Sequence, residues 1–138
     1  MERDYRVKWA GDLRFIGTGA NGHSTVIDGD KKTALSPMEL LLLGTGGCAC
    51  IDLVMILEKG RQKVIDAWVE IGGERREEMP QYFTSIEMHF VVKGIAVQEA
   101  RVKRAIDLAM EKYCSASAQM AALADIKTSY EIIEADTP

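Results

Sequence analysis

One stretch constrains this chain more than any other: Met38 to Leu57, MELLLLGTGGCACIDLVMIL. Ser36 and Pro37 stand just before it, and Glu58, Lys59 and Gly60 just after. Ser36 suits a helix N-cap, and Pro37 suits the first helical position. Glu39, three residues after Ser36, completes a capping box, and Gly60 supplies a C-terminal stop. These signals predict one helix over 36–59. Its apolar residues (Leu40, Leu41, Leu42, Leu43, Ile51, Leu53, Val54, Met55, Ile56 and Leu57) cover more than one face. A helix that is apolar all round must be covered all round. The run has about the length of a short membrane span. Gly44, Gly46, Gly47 and the ionisable Asp52 argue instead for a helix buried in protein, because a charge in mid-membrane is costly.

The remaining sequence is a set of shorter elements. YRVKWA alternates, with Tyr5, Val7 and Trp9 on one face, and LRFIGT and STVIDG follow across Gly-rich turns. Beyond the helix, KVIDAWVEIGG and YFTSIEMHFVVKG read as two long strands joined by the charged loop ERREEMPQ. In the second, Tyr82, Thr84, Ile86, Met88, Phe90 and Val92 form the more apolar face, opposite Phe83, Ser85, Glu87, His89 and Val91. VQEARVKRAIDLAMEKYC is an amphipathic helix carrying Val102, Ile106, Ala109 or Met110, and Tyr113 on its stripe. SASAQMAALAD starts another, with Ser115 or Ser117 as N-cap, and KTSYEIIE closes as a strand. The order βββ-α-ββ-αα-β is an α+β arrangement with mostly antiparallel pairing. A chain of 138 residues suits a single domain over 1–138. It divides into N-terminal strands (1–33), a central helix (36–59) and a ββααβ portion (63–138). One small sheet and two further helices can hardly enclose the central helix, so a partner chain is expected to help.

Charge excludes one class of function. Seventeen basic and twenty-one acidic residues give a net charge of −4, and the two signs are interleaved. Nucleic-acid binding needs a clustered basic surface, and none is legible. MERDYRVKWAGD is charged and lacks the apolar core of a secretory leader. The expected setting is therefore cytoplasmic, and the odd count of three cysteines agrees with reduced thiols.

Cys48, Cys50 and Cys114 admit three readings. Metal ligation is disfavoured by spacing. Cys48 and Cys50 form a C-x-C pair, the third thiol is 64 residues on, and His23 and His89 are the sole histidines. Helix positions i and i+2 point about 200° apart, so Cys48 and Cys50 do not share an ion while the helix holds. Redox chemistry needs a thiolate and a second thiol to resolve the sulfenic acid. The glycines before Cys48 loosen the helix around its sulfur, and Cys114 falls between two predicted helices, where the next N-terminus favours an anion. The third reading is that the cysteines are inert core residues, since free Cys is among the most buried residue types. His23 and His89 read as surface or sheet residues, and the methionines as core filling.

SPMELLLLGTGGCACIDLVMILEKG together with EKYCSASAQM resembles the OsmC/Ohr family of hydroperoxide-reducing proteins, and within it the YhfA-like branch. The resemblance implies an intertwined α+β homodimer, with antiparallel sheets wrapped around long central buried helices. It implies that Cys48 attacks an organic hydroperoxide and that Cys114 resolves the sulfenic acid at a dimer-formed pocket. An external dithiol would recycle the pair, with no metal, cofactor, nucleic acid or membrane. Cys50 matches no functional position of the family. Met38 stands where family members carry a glutamate that orients an arginine at the thiolate. Glu39, one residue later and about 100° round the helix, is a candidate for that role besides its capping one. Arg14 is the candidate arginine. Asp52, four residues after Cys48 on the same face, is a candidate for binding substrate, as is Met38. The alternative function on this scaffold is a small-ligand-binding protein without turnover.

Overall fold

The capping residues at 36–39 form the box that their spacing implies. Glu39 accepts the Ser36 N–H at 2.9 Å, and Ser36 Oγ accepts the Glu39 N–H at 3.3 Å. Donation from Ser36, its backbone N–H foremost and its hydroxyl second, holds the Glu39 carboxyl below the usual carboxylate range. In this computed structural model, which describes residues 1–137, the helix so opened is α1 (Pro37–Lys59). It runs through Gly44, Gly46 and Gly47 unbroken. Past its end, the Gly60 N–H donates to the Ile56 carbonyl at 3.0 Å.

The chain forms two compact units, Met1–Leu41 and the residues from Leu42 onward. In the first, β1 (Arg6–Trp9), β2 (Arg14–Thr18) and β3 (Ser24–Asp28) make an antiparallel meander in the order β1-β2-β3. Trp9 pairs with Phe15, and Phe15 with Ile27. Tyr5, Val7 and Trp9 are exposed. β3 ends in a turn organised by the buried Asp28, whose carboxylate accepts the N–H groups of Asp30 and Thr33 and the Thr33 hydroxyl. Those bonds, the Thr33 N–H foremost, keep the Asp28 carboxyl below its ordinary pKa.

The second unit is built on β4 (Lys63–Arg75), β5 (Phe83–Ile95) and β6 (Asp125–Glu134), in the order β4-β5-β6. β4 and β5 are antiparallel, whereas β6 lies parallel to β5. The parallel pair follows from the crossover between them, which carries α2 (Glu99–Leu108) and α3 (Ser115–Ala121) and returns the chain to the starting end of β5. Ile86, Met88, Phe90 and Val92 face the core as their alternation implies. Phe83 and Val91 both depart from the alternation, since both are buried. The ladder slips between Glu74 and Arg75, and the ring is buried instead of lying beside Ser85.

Helix α1 departs from the expectation of burial on every side. Within one chain only Thr45, Gly46, Ala49, Leu53 and Leu57 are buried, a stripe at near four-residue spacing. Leu43, Ile51 and Met55 remain 50%, 63% and 50% exposed. A single three-stranded sheet offers one face to pack on, and one face covers one stripe. By length and composition alone α1 could cross a membrane.

Where α1 meets the sheet, small residues set the distance. A Cβ on Gly46 would lie 3.0 Å from Val69 Cγ1. A Cβ on Gly73 would lie 2.8 Å from the Phe83 ring and 3.2 Å from Leu42. Gly72, one residue away on the opposite face, has open space. Gly73→Ala is therefore expected to destabilise the fold by about 1–3 kcal/mol through overpacking. Gly72→Ala should be neutral or stabilising by up to about 1 kcal/mol, since glycine weakens a strand. Urea denaturation of the two variants checks the contrast.

Candidate functional site

Three chemistry-bearing side chains converge in the second unit. Cys48 and Asp52 lie one turn apart on α1, on the face that the i, i+4 spacing implies. Cys114 comes to them from the far end of the sequence. A ligating atom from each (two sulfurs and a carboxylate oxygen) lies within 4.8 Å of the other two. All three cysteines are free thiols. Cys50, two positions from Cys48, is not in this cluster, and burial pushes its thiol pKa up.

The approach of Cys114 depends on irregular backbone that periodicity did not reveal. After Leu108 the helix loosens into one π-helical turn, Ala109–Tyr113. The Cys114 N–H donates to the Ala109 carbonyl at 2.7 Å, closing that wider turn. Such turns are rare and are frequent at functional sites. Cys114 then takes an extended conformation and is itself the N-cap of α3. The expected cap, Ser115 or Ser117, is replaced by a sulfur.

Ser117 carries the cap contact from the other side. Its N–H donates to Cys114 Sγ at 3.3 Å and its hydroxyl donates to the same sulfur at 2.9 Å. The Cys114 thiol in turn donates weakly to the Thr45 carbonyl of α1 at 3.9 Å. Cys114 is 2% exposed. Burial pushes its pKa up, the Ser117 bonds pull it down, and the neighbouring Cys48 raises it again. Burial prevails, so the Cys114 thiol lies above its ordinary value despite its place at the start of α3. Ser117 and Thr45 are the participants that sequence reading missed. The C-x-x-S spacing of 114–117 was the available signal, because an N-cap bonds the residue three positions on.

The other candidates lie as follows. Asp52 Oδ2 is buried and has no hydrogen-bond partner among the described residues. Glu39 is engaged in the capping box. Arg14 Nη2 pairs with Asp12 Oδ2 at 3.1 Å. Met38 is half-buried in the first turn of α1. A groove of about 710 Å³ lies elsewhere, along Gly72, Glu87, His89 and Lys127. There His89 Nδ1 shares a 2.7 Å hydrogen bond with Ser129 Oγ, as suits a sheet-surface residue.

The OsmC-like protein family matches residues 29–129, a span that includes all three clustered side chains. The chain belongs to the OsmC family. It is 47% identical to protein YhfA of Escherichia coli (strain K12) over 131 residues, covering 94% of this chain and 98% of that one. A hypothetical protein from Aquifex aeolicus VF5 of known structure is 31% identical, with a TM-score of 0.88 over 99% of this chain and 100% of the other. At 14% identity and a TM-score of 0.69, the fold is shared with the organic hydroperoxide resistance protein OsmC of Legionella pneumophila, over 92% of this chain and 96% of that one.

The hydrogen bonds at Cys114 make a prediction independent of any reaction. In a Cys48→Ser/Cys50→Ser background, Ser117→Ala should raise the pH at which Cys114 ionises, because a donor to the thiolate is lost. Thiolate ultraviolet absorbance against pH measures this. An unchanged profile would mean that the hydroxyl does not support the anion.

Proposed function

We propose that this protein is a thiol-dependent peroxidase that reduces organic hydroperoxides to alcohols. One observation carries the reading: two thiols 66 residues apart in sequence lie within 4.8 Å of each other. Family membership and the fold shared with a hydroperoxide resistance protein support a peroxide-related redox role. The Cys48 thiolate attacks the terminal peroxide oxygen and breaks the O–O bond. The alkoxide leaves and takes up a proton as the alcohol, and Cys48 becomes a sulfenic acid. Cys114 Sγ then attacks that sulfur, water departs, and a Cys48–Cys114 disulfide forms. An external dithiol restores both thiols by exchange. Cys114 suits the second role, since a buried neutral thiol does not compete for peroxide until the sulfenic acid appears beside it.

Cumene hydroperoxide consumption with dithiothreitol tests the reading. Cys48→Ser should reduce the rate to that of dithiothreitol alone. Cys114→Ser should leave a Cys48 sulfenic acid that dimedone traps, and Cys50→Ser should behave as wild type. Equal consumption by wild type and Cys48→Ser would overturn the proposal.

The unpartnered Asp52 Oδ2 and the Met38 at the family's glutamate position favour a second reading, a small-ligand-binding protein on the same scaffold. Iodoacetamide separates the two. A Cys48 that alkylates no faster than free cysteine near neutral pH supports binding without turnover.

The proposed assembly is a homodimer in the cytoplasm, where dithiols are available. Its support is the uncovered stripe of Leu43, Ile51 and Met55 beside the open Gly44 and Gly47. Covering such a stripe with a second copy removes apolar area from water. Light scattering after size exclusion should give a dimer mass, and Ile51→Glu should give single chains, since it buries a charge at the contact.

A further inference from the structure

We infer that Cys48, Asp52 and Cys114 together form a binding site for one soft divalent cation of the zinc type in the reduced protein. The site shares two sulfurs with the peroxidase reading but does not rest on that reaction. Sequence spacing argued against metal because it considered the C-x-C pair. The fold discards Cys50 from the site and replaces it with Asp52 from the same helix face and Cys114 from the α3 cap.

The donor set fits the ion. Zinc takes thiolates at about 2.3 Å and carboxylate oxygens at about 2.0–2.2 Å. In a tetrahedron those lengths put neighbouring donors about 3.5–3.8 Å apart. Here the three donors lie within 4.8 Å of one another, so closure requires movements on the order of 1 Å, within reach of small side-chain rotations. Three protein ligands and one open position is the composition of catalytic zinc sites. Two thiolates and a carboxylate carry three negative charges, and a divalent cation leaves a net charge of −1.

Two further observations support a cation here. Asp52 Oδ2 is buried with no partner, and a buried carboxylate oxygen left unpaired is costly. A metal bond satisfies it, and no donor elsewhere among the described residues does. The Ser117 N–H and hydroxyl both donate to Cys114 Sγ, the support that an outer shell gives to a ligating thiolate.

Binding and oxidation then exclude each other. Loading the ion displaces the thiol protons, because a coordinating thiol is deprotonated. Forming the disulfide consumes both sulfur ligands. The balanced step takes the zinc dithiolate, one organic hydroperoxide and two protons to the disulfide, one alcohol, one water and free Zn2+. Asp52 alone does not hold the ion.

Full-length protein, reduced and stripped with a chelator, is titrated with Zn2+ against a chromophoric competitor. Wild type and Cys50→Ser should each bind one equivalent. Cys48→Ser, Cys114→Ser and Asp52→Asn should each lose about 100-fold or more in affinity, exceeding the typical loss of an outer-shell partner. Co2+ in place of Zn2+ reads the donor set in wild type without any variant, through the intense charge-transfer absorption of bound thiolates. Cumene hydroperoxide should release one zinc for each disulfide formed. Substoichiometric binding, Asp52→Asn binding as tightly as wild type, a Cys50→Ser loss, or a Co2+ spectrum without thiolate bands overturns the site. Peroxide turnover by the stripped wild type is scored separately. Turnover without zinc binding defeats the metal site alone, and zinc binding without turnover defeats the peroxidase reading alone.

Discussion

The close seating of α1 on β4 governs everything else in the second unit. Gly46 lets the helix lie against Val69 and Ile71, and Gly73 accommodates Leu42 and the Phe83 ring. Side chains at those two positions would hold the helix off the sheet. The seating fixes the rotation of α1, so that Thr45, Ala49, Leu53 and Leu57 point inward. Cys48 and Asp52, on the flank of that stripe, meet the crossover instead of the sheet. Cys114 reaches them because α2 runs on into a π-helical turn and the sulfur caps α3. The glycine run beside Cys48 is thus first a packing device, and the chemistry is positioned by it.

How far the sequence was legible follows from the range of the interactions involved. The bounds of α1 were readable because their causes are local: a capping box over four residues, and a glycine stop. The strands of both sheets were readable from alternation and turn residues. The Cys48–Asp52 face followed from helical periodicity alone. The parallel seating of β6 was not legible, because pairing direction depends on how a crossover closes. The π turn was not legible either, since AMEKY continues the amphipathic pattern of α2 and nothing in its composition marks a wider hydrogen-bond ring. Proximity of Cys48 and Cys114 came from family resemblance. Spacing could not supply it, because spacing compares positions near in sequence.

The exposed side of α1 follows from the same geometry. A helix can be apolar on all sides for two reasons, burial by its own chain or burial shared with another. One sheet covers one stripe, so the leftover surface of Leu43, Ile51 and Met55 is the part of the sequence that its own unit does not explain. Burial is worth about 25 cal/mol per Å² of apolar area. Selection has no folding reason to keep such side chains in water, and aggregation gives a reason against it.

The cluster itself poses a charge problem that any reading of it must solve. A reactive thiolate beside a carboxylate and a second sulfur concentrates negative charge in a partly dry place. Like charges there disfavour ionisation. For Cys114 the largest effect is burial, which raises it; the two donors from Ser117 oppose this, and Cys48 adds a smaller push upward. Were both sulfurs ionised beside Asp52, the two donors of one serine would face three negative charges. Arg14, the arginine that the family resemblance offers, is paired with Asp12. Asp52 adds a carboxylate whose Oδ2 has no donor among the described residues. A cation bound directly by the three donors removes the conflict at its source. It makes Asp52 a ligand, and it gives the buried oxygen a partner that none of the described residues supplies.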